Sequence, residues 1–295
     1  MTSPAALIAP DLRSRAELLG QSLPALLAEA ELLSARLMLG EHGRRRAGQG
    51  DEFWQYRPAQ AGDAARSIDW RRSAKSDGHF VQTREWQAAQ SVTLWVDQAR
   101  SMGFSGDKSR APKLDRARLL ALALAVLLLR GGERVGLSRG AAPKPGRAQV
   151  LEILSALDAA QSDQDYGAPG ADGLEPHGRA VFLSDFLGRL DPLEAALAAA
   201  SDRGVKGILL QILDPAEEEF PFDGRTIFES MSGALRHETQ SAADLRSRYL
   251  DRLAERKDRL ATLAAAMGWH YHCHHTGAPA QSALLWAYGA LEGGR

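Results

Sequence analysis

Oxygen-bearing side chains at two strand ends carry the chemistry that this sequence offers. The apolar run Ser91-Val92-Thr93-Leu94-Trp95-Val96 stops on Asp97, with the Ser101 hydroxyl four residues on and Ala99 between them. A second run, Ala180-Val181-Phe182-Leu183-Ser184, stops on Asp185. Carboxylates and hydroxyls so spaced suit a small hard cation, since Mg²⁺ takes oxygen ligands and keeps several waters. Asp97, Ser101 and Asp185 are expected to bind Mg²⁺ only weakly, because each missing ligand lowers affinity. The competing reading, which Ala99 favours, is a metal-free loop whose carboxylates cap helices or meet Arg100. Two neighbouring carboxylates also suit acid–base chemistry, so the alternative function is a metal-dependent hydrolase using Asp97 and Asp185. No nucleophile elbow, phosphate loop or dinucleotide fingerprint accompanies them, and a non-enzymatic role is expected. Gly131-Gly132 follows a helix and reads as its cap.

Two other stretches concentrate reactive side chains. On a strand, His270, His272 and His274 share one face, and Cys273 and His275 the other. Imidazoles so placed could bind Zn²⁺, but the alternation equally suits an edge strand with a half-buried face. Farther upstream lie Arg66, Asp69, Trp70 and Arg71. Arginine's planar fork pairs with carboxylate or phosphate and stacks on aromatic faces, so these four are docking candidates for an acidic partner. The plainer reading pairs Asp69 with Arg66 or Arg71 and buries Trp70 as a plug.

These residues need elements to position them. Asp11 to Leu39 reads as helical, and residues 1–42 as an N-terminal helical segment. Residues 43–90 alternate short aromatic pieces with turn residues such as Gly62-Asp63 and Asp77-Gly78, which predicts a β-rich segment. From Ser91 strands and helices alternate: helices over Lys113–Arg130, Arg147–Ala160 and Pro192–Ala200, and strands over Arg134–Ser138, Ala180–Asp185 and Val205–Leu213. That order predicts a mainly parallel sheet with helices on both faces over residues 91–295. A hairpin at Thr226–Glu229 and Ala234–Glu238, a long helix over Ala242–Met267, a strand over Trp269–His275 and a last helix complete it.

Composition narrows the classes. Across 295 residues, 36 Lys and Arg nearly balance 37 Asp and Glu, so no global field advertises nucleic acid. The short basic loop Arg44-Arg45-Arg46 is expected to be solvated. The single cysteine, Cys273, fits a reducing compartment. The stretch Met1–Pro10 lacks a signal-peptide pattern, and the longest apolar run, Leu119–Leu129, falls short of the roughly 20 residues a span needs. A cytoplasmic protein without a membrane partner is the expectation.

The residues between the helical segment and the first parallel strand resemble a known family. Arg45-Arg46-Ala47-Gly48-Gln49-Gly50-Asp51-Glu52-Phe53, then Tyr56-Arg57-Pro58, Gly62-Asp63, Arg66 and Ile68-Asp69-Trp70-Arg71, are similar to the DUF58 signature. Val92–Asp97 and Val181–Phe186 match the strands that follow it. The resemblance implies a von Willebrand factor A-like fold, in which Asp97, Ala99 and Ser101 fall on a metal-ion-dependent adhesion motif that has lost one serine. No threonine between residues 161 and 173 completes that motif. The resemblance also implies an adaptor or assembly factor working with a MoxR-type AAA+ ATPase and its client.

Overall fold

The computed structural model describes residues 27–35, 53–59, 68–74, 78–84, 89–159, 162–231, 233 and 236–292. The chain divides into two compact units, Met1–Gly40 with Gln90–Arg295 and, separately, Glu41–Ala89. In chain order the first element is α1, residues 27–35. The smaller unit follows with β1 (Phe53–Pro58), the single-turn α2 (Trp70–Ser73) and β2 (Phe80–Arg84). The larger unit resumes with β3 (Ser91–Val96), a 3₁₀ turn (Arg100–Gly103), α3 (Lys113–Arg130), β4 (Arg134–Leu137), α4 (Ala148–Ala159) and β5 (Arg179–Ser184). Then come α5 (Asp191–Asp202), β6 (Lys206–Leu213), α6 (Pro215–Glu219), β7 (Thr226–Glu229), β8 (Arg236–Thr239), α7 (Ala243–Ala266), β9 (His270–His275) and α8 (Ala280–Glu292).

In the smaller unit β1 and β2 pair antiparallel, with an irregularity between Phe53 and Gln55. The Asp69 carboxylate accepts the Arg71 N–H at 3.0 Å and opens α2. Ser73 Oγ donates to the Asp69 carbonyl at 2.7 Å and accepts the Phe80 N–H at 3.0 Å. Trp70 is not a buried plug: it is 58% exposed and meets His79 edge-on at 5.5 Å. The reason is local, since the inward residue of this single turn is Ser73, and Trp70 heads the turn from its open side. Arg66 lies outside the described residues.

The larger unit is an α/β doubly wound fold. Its main sheet has five strands, all parallel, in the order β4-β3-β5-β6-β9. The strands buried on both faces are those that read as continuous apolar runs. Val92, Leu94 and Val96 of β3 join Val181, Leu183 and Ile208 in a core with α3, α4 and α8. Trp95, Phe182 and Leu209 point the other way, into a core with α5, α7 and Trp269. Helix α3 is buried on nearly every side because α1 covers it too: Ala30 and Leu33 join its core, and Ser34 Oγ donates to the Ala123 carbonyl at 2.9 Å. This accounts for the Leu/Ala run as a core helix, each buried leucine contributing roughly 1.5–3 kcal/mol. β7 and β8 form the expected antiparallel hairpin.

The strand order fixes where a site can form. From β3 the chain crosses through α3 to β4 on one side; from β5 it crosses through α5 to β6 on the other. The connections therefore diverge between neighbouring β3 and β5, which opens a crevice beyond their C-terminal ends. Asp97 and Asp185 are the residues that follow these two ends.

Candidate functional site: the strand-end edge

The first carboxylate is held by neutral donors. Asp97 is 1% exposed. It accepts the Ala99 N–H at 2.8 Å and the Ser184 hydroxyl at 2.7 Å. The loop between α4 and β5 closes over it: the Gln164 and Asp165 carbonyls accept the Arg100 and Ser101 amides, each at 2.9 Å. Gly167 comes so near that a Cβ there would lie 2.0 Å from Asp97 Oδ1, and its amide also favours the charged carboxylate. Burial nonetheless raises the Asp97 pKa; the Ser184 and Ala99 donors oppose that rise, and neighbouring Asp185 adds to it. The Ser101 hydroxyl lies in the same wall, buried and without a hydrogen-bond partner among the described residues.

The second carboxylate is held by a cation that the chain supplies. Lys113, the first residue of α3, is 0% exposed. Its Nζ donates to Asp185 Oδ2 at 2.9 Å and to Glu217 Oε1 at 2.7 Å. Burial works against the ammonium, but Asp185 and Glu217 together outweigh it and lift the Lys113 pKa above its ordinary value. The Leu187 amide donates to Asp185 Oδ1 at 3.1 Å, and Gln211 Nε2 to the Asp185 carbonyl at 2.7 Å. Just beyond, Phe186 takes a φ of 48°, a left-handed conformation that costs a residue other than glycine of order 1–3 kcal/mol. It turns the Phe186 ring back into the core beside Trp95.

A third strand-end aspartate completes the edge. Asp214 follows β6 and forms a capping box on α6: its side chain accepts the Ala216 amide at 2.9 Å, while Glu217 Oε2 accepts the Asp214 amide at 2.8 Å. Arg110 and the Thr276 hydroxyl also reach Asp214, at 3.2 and 3.1 Å. The ends of β3, β5 and β6 thus carry buried aspartates, each already partnered within the chain.

This arrangement does not fit a resident divalent cation. Both oxygens of Asp97 and of Asp185 already accept hydrogen bonds from the protein, and the Lys113 ammonium supplies positive charge between Asp185 and Glu217. Among the described residues, no group of three or more His, Cys, Asp or Glu side chains is placed to hold a metal. Titrating Mg²⁺ is accordingly expected to leave the thermal midpoint unchanged; a concentration-dependent rise would show a cation binding the native state.

The histidines lie on β9, the sheet edge. His274 is 3% exposed and its Nε2 accepts from Arg116 Nη1 at 2.8 Å. His272 stacks on Trp286 at 4.7 Å, and His270 is exposed. On the other face Tyr271 donates to Gln211 at 2.6 Å, and burial pushes the Cys273 thiol up to about 11 against the pull of Lys257. Sequence reasoning missed Lys113 and Glu217, although the order Asp214-Pro215-Ala216-Glu217 is itself a capping-box signature.

The family model described as "Protein of unknown function DUF58" matches residues 55–259. Uncharacterised proteins of Mycobacterium bovis and of two Mycobacterium tuberculosis strains are 29% identical over 216 residues, covering 67% of this chain. The match spans 66% of those relatives' length, just under two thirds. Among solved structures, an aerotolerance-related membrane protein from Bacteroides fragilis is 15% identical with a TM-score of 0.41. The conserved hypothetical protein BatB from Bacteroides thetaiotaomicron is 14% identical with a TM-score of 0.40. An uncharacterised membrane spanning protein from Vibrio fischeri is 19% identical with a TM-score of 0.20; each of the three is covered in full and covers 70% of this chain. The expectation of a cytoplasmic protein is corrected here, since two of these neighbours are described as membrane proteins. That expectation rested on the single cysteine, the lack of a signal-peptide pattern and the short apolar run, none of which sets a compartment. Among the described residues no helix is long and apolar enough to cross a membrane.

Proposed function

The chain belongs to the DUF58 family, and on that premise we propose that it is a non-enzymatic protein-interaction module of von Willebrand factor A-like build. It presents the strand-end edge around Asp97, Ser101 and Asp185 to a MoxR-type AAA+ ATPase and that enzyme's client. One observation carries the reading: the strand-end carboxylates are buried and bonded from within, Asp97 by the Ser184 hydroxyl and the Ala99 amide and Asp185 by Lys113, instead of being left open to substrate or water. A fixed internal cation gives the edge a set shape and charge, which suits recognition more than proton transfer. The Arg66 to Arg71 segment, with Trp70 exposed, is a second docking surface in this proposal.

A pull-down with the MoxR-type ATPase tests it. The complex is expected to form equally well with Mg²⁺ and with a chelator. Asp97→Ala strips the partner from the Ser184 hydroxyl and the Ala99 amide, and should weaken the complex about ten-fold, or about 1.4 kcal/mol. A thermal melt confirms that the variant stays folded. A complex that dissolves in chelator restores the metal-bridged reading, and no complex at all removes the adaptor.

A further inference from the structure

The wall of the strand-end edge has a second side. Glu217, whose Oε1 holds Lys113, also lines a cavity of about 610 Å³. Its other walls are aromatic: Phe104, Phe220, Phe222, Phe228 and Tyr249. Phe220 closes α6 with a φ of 46°, which turns its ring into the cluster, 4.8 Å from Tyr249 and 5.6 Å from Phe228. The volume falls within the range of ligand pockets, about 300–1,000 Å³, and the lining is mostly apolar, as such pockets are.

The remaining wall is basic. Arg248 and Arg252 of α7 line the cavity and are exposed. Neither pairs with a carboxylate among the described residues, although other arginines of this unit do, such as Arg259 with Glu194 and Arg225 with Glu238. Glu217, the carboxylate in the lining, is already taken by Lys113. An apolar hollow beside unpaired guanidinium groups calls for an apolar ligand that carries negative charge.

Spacing decides which kind. Arg248 and Arg252 stand one turn apart, about 6 Å along the helix. Side chains on one face of an extended peptide repeat every two residues, about 6.6 Å. Alternate carboxylates of an extended segment can therefore meet both arginines, whereas a single fatty carboxylate engages one. We propose that this cavity docks an acidic segment of a partner protein, which seats one bulky apolar side chain among the phenylalanines and sets two carboxylates against Arg248 and Arg252. The proposal rests on the reading of the chain as an interaction module, and it adds the kind of segment recognised.

The test uses the full chain and fluorescence anisotropy. The probe is a short labelled peptide with one phenylalanine flanked by alternate aspartates. It should bind saturably and more weakly as salt rises. Changing its aspartates to asparagine, its phenylalanine to alanine, or the protein by Arg248→Glu with Arg252→Glu should each weaken binding at least about ten-fold. Both arginines are exposed, so the double variant keeps its fold. Absent peptide binding, binding indifferent to the double variant, or dodecanoate binding where the peptide does not would overturn the proposal. Repeating the ATPase pull-down with the double variant separates the two readings. A peptide that binds while no ATPase does removes only the adaptor. An ATPase complex untouched by the double variant, with no peptide binding, removes only the cavity's role.

Discussion

Lys113→Met is expected to lower the stability of the protein by about 3–5 kcal/mol, the range for breaking a buried ion pair from one side. Methionine matches the lysine chain up to its terminal nitrogen, so packing changes little. What changes is charge. Asp185 and Glu217, whose side chains are 1% and 13% exposed, would face each other without their shared cation. Both would have to protonate or draw in water, and either costs free energy at neutral pH. The loss should shrink as pH falls, because protons then replace the ammonium. A carboxylate whose folded pKa is raised destabilises the native state above its unfolded pKa, and that penalty disappears below it. Urea denaturation at neutral and mildly acidic pH measures both effects. The triple variant Lys113→Met, Asp185→Asn, Glu217→Gln should recover most of the loss, since neutral partners carry no uncompensated charge. A loss under about 1 kcal/mol in the single variant would show that the ammonium is not what holds the edge together.

The strand-end geometry shows what a sequence can and cannot say. β3, β5 and β6 were legible because strands buried on both faces must be apolar throughout, and the polar residue that ends such a run marks the sheet edge. Asp97 and Asp185 follow from that rule. Lys113 does not, because its partners lie 72 and 104 residues away. One local sign was present: a lysine opens α3, where the helix dipole disfavours a cation. Such a misfit asks for a compensating carboxylate, and the fold supplies two. The loop between α4 and β5 escaped for a different reason. A threonine hydroxyl was sought there, but the loop contributes backbone, with Gly167 close against Asp97 where no side chain fits. Trp70 misled because tryptophans are usually well buried, a tendency that a single exposed helical turn does not obey.

Acid should unfold the protein partly through His274. An arginine can only donate, so the short contact from Arg116 fixes His274 Nε2 as an acceptor and the ring as neutral. Burial, then the Arg116 charge and the flanking His275 and His272, push the His274 pKa down from 6.5 to about 3. The unfolded chain therefore binds a proton below about pH 6.5 that the native state refuses until about pH 3. Stability from this group is complete above the unfolded pKa and is lost as pH falls, at about 1.4 kcal/mol per pH unit, roughly 5 kcal/mol across the window. Asp97, with its raised pKa, titrates with the opposite sign, so the clean quantity is a difference between variants. His274→Gln offers Arg116 an acceptor that does not titrate, and its stability should fall less steeply from pH 6.5 downward. Parallel acid limbs for the two proteins would refute the assignment. The effect reaches the strand-end edge, because Arg116 also holds the Thr276 and Ala278 carbonyls at 2.9 and 2.7 Å while the Thr276 hydroxyl binds Asp214. Protonating His274 would set a cation against Arg116 in the first turn of α3, the turn that Lys113 opens, so the neutral ring is part of what keeps that turn in place.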